Sequence, residues 1–176
     1  MKFFTLSFLL AISSAAFSQP RIYPVIKNFG GVFDIPYAHE KPDPVMEYNI
    51  VIEVDRAIDH ADSVNWALNN VARLLNVHVM GGVNPEKLHV VLAIHGGAAY
   101  ALMNNDGYHL KYKVNNPNAA LLEELEKAGV KIFVCGQSLI ARKIDRMKLL
   151  PQVKIASSML TTITTYQLRG YAALKF

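Results

Sequence analysis

Two kinds of hydrophobic spacing alternate along most of this chain. Tyr48–Val54 (YNIVIEV) and Leu88–Ile94 (LHVVLAI) are nearly continuous apolar runs of strand length. Between them Val64, Ala67, Leu68, Val71, Ala72, Leu74 and Leu75 recur at helical spacing, which predicts an amphipathic helix capped by Asp62 or Ser63. Strands that are apolar on both faces, separated by helices, belong to a parallel sheet covered on both sides. Further on, residues 98–103 suit one or two helical turns. Asn104-Asn105-Asp106-Gly107 reads as a turn, and residues 109–114 as an edge strand or extended loop. Asn116 with Pro117 opens a second helix, with Leu121, Leu122, Leu125 and Ala128 as its buried stripe and Gly129 as its stop. Residues 130–134 form a third apolar strand that ends at Cys135. Residues 139–147 are predicted helical, 153–156 a strand, 160–168 a helix and 171–174 a last strand. The fold class is therefore α/β: a single domain with a mostly parallel sheet and helices on both faces, a Rossmann-like layer.

Two segments fall outside this pattern. Lys2 followed by an apolar stretch to Ala16, with small residues at Ala16 and Ser18, reads as a signal peptide over residues 1–18. The mature protein is then exported, periplasmic or secreted, with no lipid anchor and no later membrane span. Residues 19–46 carry five of the eight prolines, interleaved with aromatic and aliphatic residues. Prolines oppose helix and ladder alike, so this is an arm that packs over the domain or onto a neighbouring subunit. The globular domain occupies residues 47–176.

Composition adds little. A formal net charge of +4, with one modest basic cluster at Arg142, Lys143, Arg146 and Lys148, suits a solvated helix face rather than a nucleic-acid footprint. The six histidines are scattered, and His89 and His95 stand near opposite ends of one strand, so no metal centre is expected. Gly81-Gly82 and Gly96-Gly97 lack the spacing of a phosphate cradle, and no cofactor is expected. Asn69, Asn70 and Asn76 fall on the polar side of the first helix, where solvation is the default.

The candidate chemistry sits at two strand ends, each followed by glycine: His95-Gly96 and Cys135-Gly136. In a parallel sheet both ends lie on the edge where ligands gather. The amides of Gly136, Gln137 and Ser138, together with Gly96, are candidates to face an anionic sulfur or an oxyanion. Cys135 is the only cysteine, so it has no partner within its own chain for a disulfide. It is either a buried space-filler or a thiol kept for chemistry. His95 is either its base or a histidine satisfied by backbone, and no carboxylate stands out as the orienting third member of a triad.

From Tyr48 onward the chain resembles the DsrE/DsrF-like family, and most nearly its exported members. The resemblance is carried by Tyr48–Val54, Leu74-Leu75-Asn76, Val90 to Gly96, Gly129-Val130 and the run from Val134 through Cys135-Gly136-Gln137-Ser138 to Leu139. Leu149-Leu150-Pro151 and Gln167 with Gly170-Tyr171 complete it. It implies a small parallel-sheet fold assembled as trimers or hexamers, and a sulfur carried as a persulfide on the cysteine at the position of Cys135. Export and the arm depart from the family's cytoplasmic sulfur relays. Three functions follow: a sulfur carrier working with a donor or acceptor protein or a small thiol, an oligomeric binding or assembly module with a structural cysteine, and a Cys-His hydrolase or transferase.

Overall fold

The computed structural model describes residues 19–176; the leader expected over residues 1–18 lies outside them. Five strands form one all-parallel sheet: β1 (Tyr48–Val54), β2 (Leu88–Ile94), β3 (Lys131–Cys135), β4 (Lys154–Ala156) and β5 (Ala172–Lys175), in the order β4-β3-β2-β1-β5. The helices are α1 (Trp66–Met80), α2 (Asn105–Tyr112), α3 (Ala119–Lys127), α4 (Gly136–Ala141) and α5 (Met159–Leu168). Among the described residues no helix is long and apolar enough to cross a membrane.

Side chains along a strand alternate between faces, and this divides the sheet. Ile50, Ile52, Val54, Val90, Leu92, Ile94, Ile132 and Val134 pack on one side with α1, α3 and Leu139 of α4 in the main core. Val51, Val91 and Ala93 are buried on the opposite side. There α5 lies across β1, β2 and β3, with Tyr166 against Phe133. The reason is topological. Strands β1 to β4 step in one direction and β5 returns to the far side of β1. Right-handed crossovers then put the returning helix on the other face.

Four local expectations need correction. The cap of α1 is Asn65, not Asp62 or Ser63: its Oδ1 accepts from the amides of Ala67 and Leu68 at 2.9 and 3.2 Å. Residues 104–112 form α2 rather than a turn and an extended segment. Asn104 caps that helix by accepting from Gly107 N–H, and Tyr108 is fully buried with its hydroxyl donating to Ala61 O at 2.8 Å. Asparagine and aspartate favour turns and helix starts for one reason, a side chain that bonds nearby amides, so the same residues suit either. Asn116 does not cap α3, which begins at Ala119. Its Oδ1 instead accepts from the backbone and side-chain N–H of Asn118, while its Nδ2 donates to Ala101 O and Met103 O. The helix expected over 139–147 is cut at Ala141. Lys143 takes a left-handed conformation (φ 54°), and Ile144 N–H and Lys143 N–H bond back to Leu139 O and Ile140 O, the pattern of a Schellman stop.

The arm is anchored to the domain. Ile26 and Val32 are buried, and Ile22 and Val32 form an antiparallel bridge. Asn76, expected on a solvated face, is wholly buried. Its Oδ1 accepts from Val25 and Ile26 N–H and its Nδ2 donates to the carbonyls of Ile26, Phe29 and Gly30. Asn69 accepts from Gly30 N–H at 2.9 Å. Gly30 has positive φ (62°), and a Cβ there would come within 2.2 Å of Arg73 N, so the arm rests directly on the α1 backbone.

Candidate functional site

The connections after β1, β2 and β3 all lead to the main-core face, whereas the one after β4 leads to α5 on the other face. The chain therefore parts between the carboxyl ends of β3 and β4, which is where an open α/β sheet forms a ligand crevice. Cys135 ends β3 at that point. Strand parity turns it toward the α5 face, together with Phe133.

Cys135 is buried, with the residue 4% exposed. Burial pushes its pKa up. The backbone amide of Met159, the hydroxyl and amide of Ser138 and the hydroxyl of Ser158 act against burial, and the result lies below the ordinary thiol value. The two hydroxyls are biased toward donation. Ser138 Oγ accepts from Gly96 N–H at 3.1 Å and Ser158 Oγ accepts from Leu160 N–H at 3.2 Å. Each leaves its own proton for the sulfur. The Cys135 Sγ to Ser158 Oγ separation is 4.0 Å, a long contact in which the thiol donates when protonated and accepts when ionised. Gly136 is required for a different reason: a Cβ there would meet Ala156 O at 2.9 Å.

Register and parity also assemble a row that sequence reasoning missed. Glu53 pairs with Ala93 on one side and Lys175 on the other, and Ala93 pairs with Phe133. One pleat further on, Asp55, His95 and Cys135 follow on the same face. His95 remains tied to β1 through its N–H to Val54 O at 2.9 Å. His95 Nε2 meets Glu53 Oε1 at 3.0 Å, and Lys175 Nζ lies 2.9 Å from Glu53 Oε1 and 2.8 Å from Asp55 Oδ2. Burial raises the Glu53 pKa, but bonds from Lys175 and His95 outweigh it and hold the carboxyl below its usual value. Asp55 is lowered first by its bond to Lys175. The Lys175 ammonium is raised by Asp55 and then Glu53. A carboxylate partner for His95 thus exists, on a neighbouring strand 42 residues away. Only the sheet register could have revealed it.

The expected site residues divide accordingly. Gly96 and Ser138 are in direct contact, linking the ends of β2 and β3. Ser138 also acts on Cys135. Gln137 Nε2 reaches Ser157 O at 3.5 Å rather than the sulfur. Among the described residues no hydrogen bond joins His95 to Cys135. The donor atoms of Glu53, Asp55 and His95 all lie within 4.8 Å of one another, a grouping of metal-ligand type. The Lys175 ammonium bonds both carboxylates, so one positive charge faces two negative ones there.

A thiol with a lowered pKa in the crevice of a five-stranded parallel sheet defines a small α/β protein built around one cysteine. The chain belongs to the DsrE/DsrF-like family, whose model matches residues 49–176. Two solved structures share the fold. One is a protein of unknown function, MTH1491, from Methanobacterium thermoautotrophicum, with 22% identity and a TM-score of 0.56. The other is the YchN protein of E. coli, with 18% identity and a TM-score of 0.52. Each match covers 73% of this chain and 99% of the other. No curated protein shows significant sequence similarity to the chain.

Proposed function

We propose that this protein carries sulfur as a persulfide on Cys135, outside the cytoplasm and as a homo-oligomer, a trimer or hexamer. The observation that carries the reading is the set of donors around Sγ. Two serine hydroxyls whose acceptor side is occupied, and two backbone amides, all favour the anionic sulfur. A persulfide carrier needs that environment twice: when the thiolate attacks a sulfur donor, and when it leaves as the sulfur is passed on. Family membership points the same way. Export rests on the charged and apolar leader of residues 1–18. Oligomerisation rests on α5 and β5, where Leu160, Leu168 and Leu174 are exposed and all four residues of the edge strand face solvent.

Those exposed apolar residues, with a buried Cys135, also favour the second reading, an assembly module with a structural cysteine. Intact mass of the protein purified without reductant, combined with iodoacetamide reactivity against pH, separates the two. A carrier shows an added sulfur atom that Cys135→Ser lacks, and alkylates in the native state below the ordinary thiol pKa. A thiol that reacts only after unfolding removes the carrier reading and leaves the assembly module.

A further inference from the structure

Beside the thiol crevice, across Ser138, lies an open hollow of about 450 Å³ lined by His95, Gly96, Gln137, Ser138, Ala141 and Arg142. Its size is within the range of small-molecule sites. Three features mark it as more than a surface dent. Ser138 touches both places: its hydroxyl accepts from Gly96 in the hollow's wall and acts on Cys135. Arg142 forms no ion pair among the described residues. Its guanidinium is steered over the Tyr100 ring, 5.8 Å from Cζ to the centroid, and Nη2 lies 3.8 Å from where a Gly96 Cβ would stand. His95 is held at Nε2 by Glu53, whose carboxylate also bonds the Lys175 ammonium. A carboxylate at Nε2 favours the tautomer protonated there and leaves Nδ1 as a base.

We propose that this hollow seats the acceptor of the sulfur: a small thiol bearing a carboxylate, whose anionic end pairs with Arg142 while its sulfur meets the persulfide on Cys135. The inference rests on the carrier reading above. The acceptor thiol gives its proton to His95 Nδ1. Its thiolate attacks the outer sulfur of the Cys135 persulfide, forming a new S–S bond. The bond from that sulfur to Cys135 Sγ breaks, and its electron pair remains on Sγ, where Ser138, Ser158 and Met159 N–H receive the charge. The outer sulfur moves at the oxidation level it already has, so no oxidant or reductant is needed. Arginine suits the carboxylate because its planar fork binds one in bidentate fashion.

The test uses the mature protein, loaded with sulfane sulfur from inorganic polysulfide and freed of excess. Its loss of sulfur is followed by intact mass after adding 3-mercaptopropionate, 2-mercaptoethanol or cysteamine, with rates corrected for each thiol's ionised fraction. The expected result is transfer to 3-mercaptopropionate about tenfold faster than to 2-mercaptoethanol, the scale of one charge-assisted pair, with cysteamine slowest. Arg142→Gln, at an exposed position and compared at equal sulfur loading, should melt at the same temperature but bring the three thiols within about twofold; Arg142→Lys should restore part of the preference. His95→Gln, which removes the base, should slow all three thiols. Equal rates for the three thiols, or a preference that survives Arg142→Gln, overturns the acceptor site while the carrier reading stands. A protein that shows no added sulfur before any acceptor is mixed in overturns both.

Discussion

Replacing Asn76 by alanine should unfasten the N-terminal arm and cost more stability than any other single polar substitution in α1. Asn76 is fully buried and makes five hydrogen bonds of 2.9 to 3.1 Å to the arm backbone, two accepted and three donated. Alanine satisfies none of them. The stranded groups include Ile26 N–H and C=O, and Ile26 is itself 1% exposed. A buried backbone group left without a partner costs about 1–3 kcal/mol. Water entering the space of the lost amide recovers part of the sum, which leaves a loss of about 3–5 kcal/mol. With a urea slope of about 2 kcal/mol per molar, that moves the unfolding midpoint down by about 2 M. Circular dichroism during urea titration measures it. Asn76→Asp is the informative companion: it keeps the two accepted bonds, loses the three donated ones, and should be nearly as damaging. Asn69→Ala, with one bond to the partly buried Gly30 N–H, should cost about 1 kcal/mol. A midpoint shift below about 0.5 M for Asn76→Ala, together with unchanged resistance of the arm to trypsin at Arg21 and Lys27, would refute the reasoning.

Removing either hydroxyl at the thiol, by Ser138→Ala or Ser158→Ala, withdraws a donor that lowers the Cys135 pKa. The iodoacetamide profile should move to higher pH in each variant, and further in the double variant. Gly136→Val should destabilise the fold by about 2 kcal/mol or more and distort the site, because its Cβ has only 2.9 Å to Ala156 O; equal melting temperatures would contradict this. Glu53 and Asp55 both have depressed carboxyl pKa values in the folded state. Their stabilisation is present above the unfolded-state values and is lost as pH falls through the folded ones. Stability should thus decline on acidification from about pH 4.5 downward, and Lys175→Met should flatten that decline in urea titrations run from pH 6 to pH 3.

How far these features were readable before folding depends on the kind of residue that carries them. Strands β1 and β2 match their apolar runs to the residue, because a strand buried on both faces leaves an unbroken hydrophobic signal. The end of β3 at Cys135 was readable in the same way. The end of α4 was not: its left-handed stop is Lys143, and no glycine marks the place. The asparagines misled for a physical reason. Asn76 and Asn116 are both buried, and each serves loop or arm backbone that carries no regular ladder of its own; Asn65 and Asn118, also buried, drew no reading at all. A polar residue on a helix looks solvated until an irregular segment with unpaired amides is laid over it.

The row of Asp55, His95 and Cys135, with Glu53 and Lys175 one pleat behind, is the clearest instance of what sequence alone withholds. Glu53, Asp55 and Lys175 are unremarkable along the chain, and Glu53 and Lys175 are separated by 122 positions. Parallel register brings them level, and the period of two turns them to one face. A slip of one residue in β5 would send Lys175 to the main-core side. Glu53 would then lack its ammonium partner and Asp55 its strongest bond. His95 would face two uncompensated carboxylates beside a thiol whose surroundings favour an anion. The β5 pairing therefore sets the charge around the carboxylates that face His95. It does so from the sheet edge, where Leu174 and its neighbours are exposed.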